Sequence, residues 1–173
     1  MKLIRKLDTG VSYFEGSHFL DKRGTFTKIF ETSNPALNSF SVKQINLVTS
    51  LRKNTLRGLH YQKGMFAEAK IFRIIDGIIQ LAFIDLRKDS ETYTKGDSLI
   101  LDSPMHSVFI PRGFATGYCT LKNNTSVLYL SDNQYNVQAE CGIKWDDPAI
   151  ALNWKIKNPL LSQKDNSWKK WNP

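Results

Sequence analysis

The sequence predicts an all-β protein, a sandwich or barrel of many short strands, and three observations carry that expectation. From about Lys70 to Leu130 the chain is a succession of short apolar runs rich in Ile, Val, Phe and Leu. Turn residues separate the runs, which is the pattern of antiparallel strands. Helical periodicity is nearly absent there, and strands so numerous and evenly spaced favour closure on themselves.

Taken in order, Phe26 to Phe30 and Ser41 to Val48 read as extended, with Ser33 to Ser39 between them as a loop or short helical turn. Leu56 to Gln62 reads as a strand. In the run KIFRIIDGIIQLAFIDLR, which starts at Lys70, Asp76-Gly77 separates two apolar segments and supplies the positive φ of a tight turn, so a hairpin is predicted. Further strands are expected at Ser98 to Asp102, Ser107 to Ile110, Ala115 to Leu121 and Ser126 to Leu130, with turns at Pro111-Arg112-Gly113 and Lys122-Asn123-Asn124. After Tyr135 the pattern becomes irregular. Trp145, Trp154, Trp168 and Trp171 lie in this polar, proline-punctuated tail and must dock their rings on the barrel or on a second subunit.

A chain of 173 residues, 41% apolar and 12% aromatic, fits one domain spanning residues 1 to 173 with a substantial core. Cys119 and Cys141 are far apart, and no basic segment followed by an apolar export core stands at the N-terminus. Free thiols and a cytoplasmic location are therefore expected. The apolar runs are too short to cross a bilayer as helices. A net charge of +8 points to an anionic partner: nucleic acid, a lipid surface or a phosphorylated small molecule. The lysines are scattered and no recognition motif accompanies them, which argues against nucleic acid. The histidines are His18, His60 and His106, with no H-x-H pair and no nearby cysteines, so no metal site is expected.

The segment Leu56-Arg57-Gly58-Leu59-His60-Tyr61-Gln62 concentrates chemistry in seven positions. Strand alternation would set Arg57, Leu59 and Tyr61 on one face and Gly58, His60 and Gln62 on the other. Histidine titrates near neutrality and can serve as a base, although a strand histidine is as readily a hydrogen-bonded structural residue. Likewise Tyr129 could be a packed core tyrosine, Lys70 an edge-strand charge and Asp165 a turn cap.

Several further segments stand in a telling order: Phe19-Leu20-Asp21-Lys22-Arg23-Gly24-Thr25-Phe26, Gln44-Ile45-Asn46, Lys70, Phe83 to Arg87 with Ser90, Ile110-Pro111-Arg112-Gly113-Phe114-Ala115, Gly142-Ile143-Lys144-Trp145-Asp146-Asp147-Pro148 and Leu161-Ser162-Gln163-Lys164-Asp165. Together with Leu56 to Gln62 they resemble the dTDP-4-dehydrorhamnose 3,5-epimerase family over nearly the whole chain. The resemblance implies a cupin-type double-stranded β-helix, or jelly-roll, barrel with short peripheral helices. It also implies a homodimer whose N-terminal strand is lent to the partner sheet and whose Phe19 to Phe26 segment reaches the neighbour's nucleotide. The implied activity is epimerisation of a nucleoside-diphosphate 4-keto-6-deoxy sugar at C3, C5 or both, without a cofactor, in deoxysugar and surface-polysaccharide biosynthesis. By the same resemblance His60 is the base, Asp165 orients it, Tyr129 is the acid on the opposite face of the sugar, and Lys70 faces the carbonyl. Arg23, Phe26, Lys28, Gln44, Asn46, Arg57, Thr116, Glu140 and Lys164 would contact the substrate. The chemistry is coherent: a proton beside a ketone becomes removable when a poised base takes it and a cation steadies the enolate oxygen.

Three positions depart from the family pattern. Thr116 stands in G-F-A-T-G-Y where the family reads G-F-A-H-G-F, so enolate stabilisation rests more heavily on Lys70. Lys28 replaces a glutamate and Ile45 the aspartate of Q-D-N. A lysine would suit cytosine N3, an acceptor, better than thymine N3, a donor, which raises CDP as the carrier. Other readings are a single-centre epimerase on a CDP-linked sugar, a 3,4-ketoisomerase, or a non-catalytic sugar-nucleotide binder.

Overall fold

The structure is a computed structural model that describes residues 1–150 and 152–171. Strands β1 (Lys2–Lys6), β2 (Ser12–Glu15), β5 (Gln44–Ser50), β7 (Lys70–Asp76), β10 (His106–Ile110) and β12 (Thr125–Ser131) form a six-stranded sheet in the order β1-β2-β10-β7-β12-β5. A five-stranded sheet of order β13-β6-β11-β8-β9 is built from β6 (Leu56–Gln62), β8 (Ile79–Asp85), β9 (Gly96–Leu101), β11 (Phe114–Thr120) and β13 (Glu140–Gly142). A separate hairpin pairs β3 (His18–Asp21) with β4 (Gly24–Thr27). The fold is the all-β, cupin-type barrel expected, with two 3-10 turns (Pro35–Leu37 and Gly64–Phe66) and one short helix, α1 (Gln163–Ser167), on its periphery.

Both sheets contribute to a shared interior that includes Phe72, Ile74, Leu81, Phe83, Val108 and Val127. The outer face of the six-stranded sheet is covered by Met1, Phe30, Leu37, Phe40 and Val42, which pack on Ile71 and Leu130. C-terminal residues Ile143, Ile150, Trp154 and Trp171 cover the other sheet over Leu59, Ala82 and Ile84. Cover on both faces explains why β8 and β11 are buried at every position rather than at alternate ones.

Strand positions in the second half agree with expectation to within one or two residues. The Asp76-Gly77 hairpin does not form. Gly77 does adopt a positive φ of 92°, but β7 pairs with β10 and β12 while β8 pairs with β9 and β11, so the turn carries the chain from one sheet to the other. Two apolar strands joined by a tight turn can pair with each other or face each other across a core. The turn sequence is the same in both cases. At the N-terminus, the strand expected at Phe26 to Phe30 ends at Thr27, and its partner is β3. β1 pairs with β2 of its own chain and forms the exposed edge of the six-stranded sheet. The tail tryptophans dock within the chain: Trp145 and Trp154 against Leu56, Cys119 and Ile156, and Trp171 against Tyr93.

Candidate active site

Between the sheets lies a cavity of about 230 Å³. β6 sends Arg57 and His60 into it, which strict alternation forbids for residues three apart. The pairing with β11 supplies the missing step. Thr116 lies opposite His60 and Tyr118 opposite Arg57, leaving Gly117 alone to face both Gly58 and Leu59. This β-bulge turns Leu59 outward and returns Arg57 to the face of His60. Only glycine fits the bend, since Gly58 has φ of 122° and an added Cβ would lie 2.5 Å from the Gly117 Cα. The predicted division of faces is thus corrected by one inserted residue.

His60 Nε2 lies 2.5 Å from Asp165 Oδ1. The carboxylate is held by the tail, where Ser162 Oγ accepts the Asp165 backbone N–H at 3.0 Å and caps α1. Burial pushes the Asp165 pKa up, but the hydrogen bond and charge of His60, with Ser162 and Trp168, outweigh it and hold the carboxyl below its ordinary value. An ionised Asp165 accepts from Nε2–H and so leaves the Nδ1 lone pair of neutral His60 as the basic position. Trp168 packs edge-on to His60, with ring centroids 6.1 Å apart, and sits on Gly142, where a Cβ would collide with the indole. Its indole N–H is buried without an acceptor at hydrogen-bond distance among the described residues, yet is near enough to help lower the Asp165 pKa.

The opposite wall belongs to the six-stranded sheet. There Tyr129 on β12 pairs in register with Phe72 on β7 and stacks on its ring at 5.4 Å, and Lys70 emerges one pleat away. Burial chiefly raises the Tyr129 pKa, Glu68 adds to it, Arg57 opposes it and Glu140 adds again. Tyr129 therefore remains a protonated donor at neutral pH. Lys70 Nζ is 3.0 Å from Glu68 Oε1, and the other Glu68 oxygen accepts from Ser131. A smaller cavity of about 110 Å³ shares His60, Lys70 and Tyr129 and is walled by Gln44, Glu68 and Glu140. Glu140 accepts from Lys164 Nζ at 2.5 Å and from the Tyr135 hydroxyl at 2.6 Å. Gln44 Nε2 donates to Asn46 Oδ1 at 2.9 Å, and the buried Asn46 Nδ2 has no acceptor among the described residues.

Of the residues singled out in the sequence, His60, Lys70, Tyr129, Asp165, Arg57, Thr116 and Lys164 line the main cavity, and Gln44 and Glu140 line its annex. Arg23, Phe26, Lys28 and Asn46 do not join them. Arg23 is 84% exposed and pairs with Asp21, Phe26 lies against Phe19 on the β3–β4 hairpin, and Lys28 Nζ is 2.7 Å from Glu31. Glu68, Tyr118 and Trp168 were not anticipated in the site. For Glu68 the available signal was its position two residues before Lys70, on the same face of an extended segment. Other motif residues serve the scaffold: the fully buried Asp85 carboxylate accepts from Arg87, Ser90 and Thr92, tying a turn far from the base. Among the described residues no cluster of His, Cys, Asp or Glu is spaced to hold a metal ion.

The arrangement can remove a proton with His60 on one wall and return one from Tyr129 on the other, while Lys70 neutralises negative charge between them. Residues 8–172 match the family model described as dTDP-4-dehydrorhamnose 3,5-epimerase. The chain is 34% identical to the dTDP-4-dehydrorhamnose 3,5-epimerase of Shigella flexneri over 99% of its length and 96% of the relative's. It is equally 34% identical to that of Methanothermobacter thermautotrophicus, over 97% and 93%. The crystal structure of the Bacillus anthracis enzyme with TDP and PPi bound superposes with a TM-score of 0.92 at 33% identity, covering 98% of this chain and 99% of that one. The Legionella pneumophila enzyme in complex with dTDP-4-keto-L-rhamnose gives a TM-score of 0.88 at 27% identity, covering 98% and 92%. With the fold, the order of its motifs and these likenesses in agreement, the chain belongs to the dTDP-4-dehydrorhamnose 3,5-epimerase family.

Proposed function

We propose that this chain, as one catalytic domain, is an isomerase that epimerises a dTDP-linked 4-keto-6-deoxy sugar in deoxysugar biosynthesis. His60 Nδ1 takes the proton from a carbon next to the C4 ketone, and the C–H electron pair moves into the carbonyl to give an enolate. Lys70 stabilises the enolate oxygen. The Tyr129 hydroxyl then gives its proton to the other face of the same carbon, the C=C pair forms the new C–H bond, and the ketone is restored with the centre inverted. Solvent removes the proton from His60 and restores that of Tyr129. The single observation that carries this reading is the placement of His60 and Tyr129 on opposing sheets across one cavity. Inversion requires that a proton leave by one face and return by the other.

The carrier favoured is dTDP. The argument for CDP from Lys28 is dropped, because Lys28 lines neither cavity and the sugar nucleotide named for the Legionella pneumophila complex is dTDP-linked. A homodimer is part of the proposal, since Arg23 and Phe26 stand exposed on the β3–β4 hairpin, outside both cavities of their own chain. In that dimer the hairpin reaches the partner's nucleotide. A cytoplasmic location fits the free thiols of Cys119 and Cys141, and no helix among the described residues is long and apolar enough to cross a membrane.

The test is deuterium incorporation from heavy water, followed by NMR, with dTDP- and CDP-linked 4-keto-6-deoxyglucose supplied separately. Exchange at C3, C5 or both with the dTDP sugar is expected, and it identifies the inverted centres. Binding without exchange would sink the epimerase reading.

A further inference from the structure

Five buried side-chain atoms lack a hydrogen-bond partner among the described residues: Asn46 Nδ2, Arg73 Nε, His106 Nδ1, the Tyr118 hydroxyl and Trp168 Nε1. Tyr118 alone of these residues lines the main cavity. Its side chain is almost wholly buried, with 4% of the residue exposed, and belongs to the barrel interior. Stranding a buried hydroxyl costs stability, whereas phenylalanine would fill the same volume without that cost. A tyrosine kept there is explained when a ligand supplies the missing acceptor.

The bulge at Gly58 decides which ligand oxygen that is. It sets Arg57 directly opposite Tyr118 on the neighbouring strand, so the two side chains stand side by side on the cavity face. Arg57 has no carboxylate partner among the described residues, and its Nε reaches only Ser50 Oγ at 3.3 Å. A permanent planar cation beside a neutral hydroxyl donor matches the adjacent oxygens of a phosphate. A sugar ketone or hydroxyl would leave the guanidinium charge unanswered. We propose that the Tyr118 hydroxyl contacts the substrate, donating a hydrogen bond to a phosphate oxygen of the nucleoside diphosphate beside Arg57. Burial pushes the Tyr118 pKa up to about 12; Arg57 pulls it down, Tyr129 adds to it, and Ser50, near the hydroxyl but outside hydrogen-bond geometry, pulls it down again, so the group stays protonated and acts as a donor. The inference rests on the cavity being a sugar-nucleotide site. It adds that the wall around Arg57 grips the diphosphate rather than the reacting sugar.

The experiment is Tyr118→Phe, which keeps the ring and removes only the donor. Affinities for dTDP and for thymidine are measured by calorimetry beside KM and kcat for solvent exchange, with the melting temperature as a folding control. The variant is expected to fold, to bind dTDP about tenfold more weakly, to bind thymidine as the wild type does, and to carry its turnover loss in KM. Equal dTDP affinity in the two proteins would overturn the proposal. So would equal weakening of dTDP and thymidine, which assigns the hydroxyl to the base, or a fall in kcat with dTDP binding intact, which assigns it to the sugar. A wild type that binds dTDP but exchanges no proton sinks the epimerase reading, while the calorimetry still judges Tyr118.

Discussion

His60 and Arg23 stand at opposite extremes of this molecule. The first is fixed by a bulged strand, a buried carboxylate 105 residues further along and an indole against its ring. The second rises on a two-stranded hairpin whose large side chains Phe19, Leu20 and Phe26 are exposed, and its guanidinium meets only Asp21 two residues away. Both lie in equally clear family motifs. The cavity wall is preorganised by contacts within one chain, as general acid-base chemistry requires. The hairpin has its shape but no seat among the described residues of its own chain.

The comparison breaks most directly at its rigid end. His60→Ala should lower proton exchange by about a thousandfold or more, with Tyr129→Phe costing about a hundredfold, both read as the initial rate of deuterium uptake. Substituting Arg23 and Phe26 together by alanine should weaken substrate capture about tenfold to a hundredfold, appearing in KM while kcat holds. Mixing that double variant with His60→Ala sharpens the contrast. Assayed well below KM, an equal mixture with shared sites would regain about a quarter of wild-type activity, because about half of the dimers are mixed and each keeps one of its two sites intact, and no recovery on mixing would show that the hairpin serves its own chain. Thr116→His, beside His60 on the same cavity wall, should raise the exchange rate by about tenfold or less if an imidazole there assists the enolate. The smallest effect is on stability. Asp165 has a folded pKa below its ordinary value, so its contribution is fully present above about pH 4 and is lost as pH falls through the lower folded value. Urea midpoints measured down to pH 3 should therefore fall more steeply for wild type than for Asp165→Asn.

Much of this was legible in the sequence, and what was not has a physical cause. Apolar runs and turn residues located most strands because both depend on local chemistry. Sheet membership was hidden because Asp76-Gly77 bends the chain equally well within a sheet or between two. The meeting of Asp165 with His60 followed from family resemblance, since no spacing connects positions so far apart. Tyr118 and Glu68 escaped notice because the worth of a polar residue on a strand depends on what stands across from it. Arg57 faces Tyr118 only through the bulge, and Glu68 matters because it holds Lys70.

The passage from β7 to β8 through Gly77 also bears on how the molecule assembles. Strands adjacent in sequence are placed in different sheets there and again at β5–β6, β6–β7, β9–β10, β10–β11, β11–β12 and β12–β13, so the barrel cannot grow by zipping successive hairpins. Its longest-range ladders join β2 to β10, β5 to β12 and β6 to β13, pairing segments far apart in the chain. Loop-closure entropy must be spent before those pairings return any stability, and such topologies fold slowly, on the millisecond-to-second scale. Substitutions in the β8–β9 hairpin, the most local pairing of the five-stranded sheet, should act early and slow folding. Those that loosen the tail around Asp165 should leave the folding rate alone and speed unfolding, so that on a nascent or recovering chain the catalytic pair is the last thing to form.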